Sequence, residues 1–154
     1  MGLTIGTLHV RRSILILAAP ERVWEEFTTA ERIAAWLDRG HTLHSIEPRL
    51  GGRAEMSVEI DGVRRHYGGP VIVCDPPREM SFQIVWREPW EAVYATAIPS
   101  YWTFRLSPIY DGTLVELFHH GFELTGAHAA ANLEGYEQGW DVKHLTALRG
   151  VVER

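Results

Sequence analysis

The sequence predicts an α+β domain in which a curved antiparallel sheet of about six or seven strands wraps a long C-terminal helix, with two short helices after the first strand. Three observations predict it. Apolar residues recur at period two in successive segments, turn signals separate those segments, and the C-terminal stretch of roughly 25 residues carries an apolar stripe at helical spacing. At 154 residues the chain has the length of one ordinary domain, so residues 1–154 are read as a single unit.

The run over residues 10–18 is β-branched and leucine-rich, which reads as a strand. Pro20 then sits where the first turn of a helix tolerates proline, predicting a helix over 20–27. Thr28-Thr29-Ala30-Glu31 has the Thr-x-x-Glu spacing of a capping box, so a second helix should run to Trp36 or Leu37 and stop before Gly40. After Gly51-Gly52, residues 53–60 alternate polar and apolar, and Asp61-Gly62 marks a hairpin into a strand from about His66 to Cys74. Asp75-Pro76-Pro77 ends it, and Met80, Phe82, Ile84 and Trp86 form the next apolar face. Residues 87–99 have no period and carry Pro89, Trp90, Tyr94 and Pro99, which reads as a long loop suited to act as a lid. A second hairpin turns at Asp111-Gly112, and Gly126 opens the last element, whose stripe is Leu133, Trp140, His144, Leu148 and Val151. At 1.5 Å per residue such a helix spans about 37 Å.

Composition excludes several function classes. The chain is 45% hydrophobic and 23% charged with a net charge of -5, and no basic run supplies the charge that phosphate recognition needs, so nucleic acid is not expected as a partner. Its mean hydropathy is -0.12. The apolar stretch over 14–19 is too short to span a membrane and lacks a basic leader, which makes the cytoplasm the default location. The one cysteine, Cys74, lies in an apolar run and reads as a packing residue.

Local motifs carry a family resemblance. Ala19-Pro20-Glu21-Arg22-Val23-Trp24, Trp36-Leu37, Gly51-Gly52-Arg53, Tyr67-Gly68-Gly69-Pro70-Val71, Asp75-Pro76-Pro77-Arg78, His119-His120-Gly121-Phe122 and Gly139-Trp140 resemble the START-like (SRPBCC) superfamily. The resemblance is to its bacterial branch related to the activator of the heat-shock-protein-90 ATPase, and it covers residues 10–153. It implies the helix-grip fold. The superfamily includes lipid and polyketide binders, cyclases, dehydratase-like enzymes, hormone receptors and co-chaperones, so function must come from the site.

Eight histidines invite a metal reading, but no His-Glu-x-x-His pattern occurs, and the adjacent His119 and His120 should point to opposite faces of a strand. No metal and no cofactor is expected. Alternation gives an inward list of Ala54, Met56, Val58, Val71, Val73, Met80, Phe82, Ile84, Trp86, Trp102, Phe104, Leu106, Val115, Leu117 and His119. Most of these read as core. The six tryptophans exceed what such a core requires, and Trp86, Trp90 and Trp102 flank the lid loop. The candidate ligand-binding set is therefore Tyr67, Trp86, Trp102, Phe104, His119, Trp140 and His144, around an apolar or aromatic, lipid- or polyketide-like small molecule. The alternatives are an enzyme of the same fold, using His119 or His144 with Tyr67 or Tyr94 for acid/base chemistry, and a chaperone-associated interaction module. The same alternation turns Leu15, Leu17, Leu114 and Phe118 outward, with Tyr101 beside them, as an apolar patch suited to a two-fold homodimer.

Overall fold

A computed structural model describes residues 5–37, 40–88, 99–139 and 143–154. The chain runs through β1 (His9–Ile16), α1 (Pro20–Trp24), a 3₁₀ turn (Glu25–Phe27) and α2 (Ala30–Leu37). Six strands follow: β2 (His41–Ile46), β3 (Arg53–Ile60), β4 (Val63–Asp75), β5 (Glu79–Trp86), β6 (Ser100–Ile109) and β7 (Gly112–His120). A 3₁₀ segment (Phe122–His128), α3 (Ala129–Gly139) and α4 (Lys143–Val152) complete it. The strands form one curled antiparallel sheet of seven in the order β1-β7-β6-β5-β4-β3-β2, and the helices lie with it in the helix-grip arrangement. No described helix is long and apolar enough to cross a membrane.

Local chemistry explains most boundaries. Pro20 occupies the first turn of α1, where its missing N–H leaves no bond unmade. The cap of α2 is Thr29 rather than Thr28: Thr29 Oγ1 accepts the Arg32 N–H at 3.1 Å, while the Thr28 hydroxyl donates back to the Glu25 carbonyl. Asp61 and Gly62 both adopt positive φ, as a two-residue hairpin requires. The β6–β7 hairpin turns one residue earlier than expected, at Tyr110–Asp111, because Ile109 pairs with Gly112.

Alternation held along β5, β6 and β7, and failed once on β4. The register shifts between Val71 and Val73, so Val73 lies opposite the outward Ser81 and Cys74 lies opposite the inward Met80. Cys74, not Val73, therefore packs on the core, and its thiol donates to the Pro48 carbonyl at 3.2 Å. A bulge of this kind inserts one residue and flips every side chain beyond it. Gly68 shows why β4 can approach β3 so closely: at φ +145° a Cβ there would run into the Ala54 carbonyl.

The concave face holds two aromatic groups. One sits under α1, α2 and the 3₁₀ turn, where Phe27 meets Trp36 and Phe104 edge-on at 5.0 and 5.4 Å and Trp24 stacks on Phe27. Its polar support is Glu26, buried and paired with Arg22 at 2.6 Å and Arg32 at 2.9 Å, whose carbonyl accepts the Trp36 indole N–H. The other group is the candidate site. At the C-terminus, α4 packs against α2 and β1 through Leu145, Leu148 and Val152, and the Glu153 carboxylate accepts the Leu17 N–H at 2.8 Å. The buried face of α4 thus uses Val152 where the helical stripe had placed Val151. Trp140 lies outside the described residues.

Leu148 is fully buried in this contact. Leu148→Ala should therefore cost about 2–5 kcal/mol in chemical denaturation, and a loss below ~1 kcal/mol would contradict the packing.

Candidate ligand site

The inner face of the sheet brings the site together by register. Across one row Val71, Phe82, Trp102, His119 and Val10 are successive partners on β4, β5, β6, β7 and β1, and in the next Met56, Tyr67 and Trp86 are partners on β3, β4 and β5. Because side chains alternate, these partners share the concave face. Gly121, at φ +92°, then turns the chain so that Phe122 folds back beside His119, with ring centroids 5.0 Å apart.

Tyr67 stacks on Trp86 at 4.4 Å, and Trp102 lies 6.0 Å from both Tyr67 and His119. From above, α3 lowers Tyr136 onto His119 at 4.1 Å and onto Phe122 at 5.3 Å. The Trp86 indole N–H donates to the Tyr136 hydroxyl at 2.8 Å, joining helix and sheet. Arg12 of β1 adds a second tie, donating to the Glu137 carbonyl at 3.2 Å and its carboxylate at 3.1 Å.

Two further side-chain hydrogen bonds lie among these rings. His119 Nε2 and the Ser100 hydroxyl share a hydrogen bond of 2.8 Å, and the Tyr67 hydroxyl and His41 Nδ1 share one of 2.6 Å. Burial holds the His119 pKa well below its ordinary value, with neighbouring His120 acting in the same direction, so His119 is a neutral imidazole at pH 7. Burial likewise pushes the Tyr136 hydroxyl up to about 12, against the opposing pull of its Trp86 bond. Both groups are uncharged hydrogen-bonding functions in an apolar setting.

The candidate residues separate into three sets. Tyr67, Trp86, Trp102 and His119 come together. Phe104 belongs to the Phe27–Trp36 group and lies 6.4 Å from Phe82, which is 5.4 Å from Trp102. His144 is buried at the start of α4, on the helix that packs against α2 and β1. Trp140, with Trp90, Tyr94 and most of the lid loop, lies outside the described residues.

Sequence reasoning missed Tyr136, Ser100, His41 and Phe122. Two of these had a signal: Tyr136 is three residues after Leu133 on the same helical stripe, and Ser100 continues the alternation of Phe104 and Trp102. His41 had none, since only the β2–β3 pairing brings it over Tyr67.

On the opposite face His120 shares a 2.7 Å hydrogen bond with Thr103 Oγ1, which is 2.9 Å from Ser81 Oγ, and Tyr101 stacks over the imidazole. Phe118 does face outward but is only 7% exposed. The Arg11 and Arg105 guanidiniums cover its ring at 6.0 and 5.4 Å, and His9 meets its edge. Phe118 therefore offers no open apolar surface. Leu15 and Leu17 do, at 39% and 66% exposed, with Leu114 directly opposite Leu15.

The family described as "Activator of Hsp90 ATPase homolog 1-like protein" matches residues 17–153. The chain belongs to this family. Among solved structures it is similar to protein MLL2253 from Mesorhizobium loti, at 22% identity and a TM-score of 0.69 over 95% of this chain and 97% of that one. It is also similar to the Aha1 dimer from Colwellia psychrerythraea, at 19% identity and a TM-score of 0.61 over 94% and 96%. A third likeness is to DynU16, a putative protein in the dynemicin biosynthetic locus, at 18% and 0.63 over 96% of this chain and 48% of that one. None of the curated proteins matches the chain. At such identities the solved structures establish the fold of this family member and nothing finer.

Burial and the Arg105 charge lower the His120 pKa from 6.5 to about 4, with His9 acting in the same direction and Glu123 opposing. Between those values the unfolded chain binds more protons than the folded one, so this stabilisation is complete above about 6.5 and is lost as pH falls toward about 4. Denaturant midpoints measured across that range should fall with pH, and His120→Gln should flatten the dependence. An unchanged slope would contradict the assignment.

Proposed function

We propose that this protein binds an aromatic small molecule, lipid- or polyketide-like in its apolar surface, among Tyr67, Trp86, Trp102, His119 and Tyr136 between the sheet and α3. The observation that carries the reading is the contrast between the two aromatic groups on the concave face. The group under α1 and α2 packs Phe27, Trp36, Phe82 and Phe104 ring against ring, with its one hydrogen-bonded indole tied to backbone. The group under α3 joins the Trp86 indole to the Tyr136 hydroxyl and His119 to Ser100, side chain to side chain, beside the rings of Tyr67 and Trp102. Polar side chains add nothing to a core that only has to be filled, since their desolvation offsets what their hydrogen bonds contribute. Flat rings with a few converging polar groups suit recognition of a flat ligand. The family fold is found also in a putative protein of the dynemicin biosynthetic locus, which agrees with a small-molecule role.

Thermal shift against flavonoids, naphthalene derivatives and long-chain fatty acids tests this. A ligand at 100 times its dissociation constant adds about 2.7 kcal/mol to stability. One aromatic class should raise the melting temperature of the wild type, and Trp102→Ala should bind it at least tenfold more weakly. No shift with any class, or undiminished binding by Trp102→Ala, would refute the site.

A second reading concerns assembly, and the exposed leucines at the β1 edge favour it. Leu15 and Leu17, with Leu114 beside them, form an apolar strip on a sheet edge, and the similar Aha1 structure from Colwellia psychrerythraea is a dimer. This chain pairs with a second copy through that strip, with Phe118 excluded from the contact by its two arginines. It does so as a cytoplasmic protein. Sedimentation should give a dimer for the wild type at micromolar concentration and a folded monomer for Leu17→Glu, whereas a monomeric wild type removes the interface.

A further inference from the structure

Asn132 lies on α3 one helical turn before Tyr136. It is only 4% exposed, and its Oδ1 is buried with no hydrogen-bond partner among the described residues. In the site itself Ser100 is paired with His119, and Trp86 with Tyr136. A buried amide oxygen left without a donor lowers stability, so its retention at an interior position calls for a partner that arrives from outside.

Helical spacing fixes what Asn132 faces. Buried Ala129 and Asn132 with half-buried Leu133 and Tyr136 make the inward stripe of α3, while Ala130, Ala131, Glu134 and Glu137 are exposed. Asn132 and Tyr136 are four residues apart, which places them one above the other on one face with Cβ atoms about 6 Å apart. Tyr136 is the residue that closes over His119 and Phe122. Its oxygen accepts the Trp86 N–H, and its own proton has no acceptor among the described residues. That proton stays on the oxygen throughout the physiological range.

The stripe therefore offers a donor and an acceptor one turn apart beside a wall of rings. A neutral hydroxyl satisfies both, accepting from one and donating to the other. A carboxylate does not, because it would set a second proton-free oxygen against Asn132 Oδ1. We propose that the ligand is a hydroxyl-bearing aromatic, a phenol or benzylic alcohol, held with its oxygen accepting from Tyr136 and its proton donated to Asn132 Oδ1. This rests on the binding reading above and specifies the ligand class for the same site.

The test is calorimetric titration with 2-naphthol and 2-methoxynaphthalene, which differ in the hydroxyl proton. Wild type should bind 2-naphthol about tenfold or more tightly. Asn132→Leu should bring the two probes within about twofold, while the melting temperature of the unliganded variant holds or rises because the orphaned oxygen is gone. Tyr136→Phe should weaken both probes and keep the preference. Equal binding of the two probes by wild type overturns the assignment of Asn132 and leaves the site standing. An Asn132→Leu variant that keeps the preference, or that melts well below wild type or fails to fold, shows the amide to be structural and overturns it too. If neither probe binds wild type while flavonoids or fatty acids do, the ligand class is wrong; if nothing binds, the site itself falls.

Discussion

The hydrogen bond from the Trp86 indole to the Tyr136 hydroxyl is the constraint on which the site depends. It ties α3 to β5, near the middle of the sheet, across 2.8 Å, and it does so in a largely apolar setting that strengthens it. Everything that surrounds the tie is oriented by it. Tyr67 stacks on the same indole from the β4 side, and His119 and Phe122 lie against the same phenol from the β7 side. Were the tie lost, Tyr136 would keep its ring contacts with His119 and Phe122 and lose its bond to β5.

The rest of the fold keeps that arrangement rigid without taking part in it. Phe27, Trp36 and Phe104 lock α1 and α2 onto one end of the concave face, and the buried Glu26 carboxylate is neutralised by two arginines while its own carbonyl holds the Trp36 indole. On the convex face the His120–Thr103–Ser81 chain ties β7, β6 and β5 together, and Arg105 of β6 covers Phe118 of β7. The two faces of β7 illustrate how adjacent histidines serve different ends. His119 points inward to Ser100 and the rings, and His120 points outward to Thr103.

Strand alternation and hairpin chemistry made most of this architecture legible from the residues. The inner faces of β5, β6 and β7 followed from period two alone, and with them the inward placing of Trp86, Trp102 and His119. What escaped depended on relations between segments. The bulge at Val71/Val73 leaves no mark in composition, so Cys74 took the place of Val73 in the core. Phe118 was placed on the correct face, but its cover by Arg11 and Arg105 comes from two other strands. His41 joined the site because β2 pairs with β3, and Phe104 left it because helices earlier in the chain claimed its ring.

The site is thus a set of neutral hydrogen-bonding groups among rings, separated from an all-purpose aromatic core by one residue, Phe82. That separation can be read directly, because tryptophans stand on both sides of it: Trp24 and Trp36 in the core, Trp86 and Trp102 in the site. Titrating tryptophan-¹⁵N-labelled protein with 2-naphthol and following the indole signals asks which group meets the ligand. Saturable shifts of Trp86 and Trp102, with Trp24 and Trp36 unmoved, are the predicted result. Shifts confined to Trp24 and Trp36, or no saturable shift at Trp86, would contradict the account.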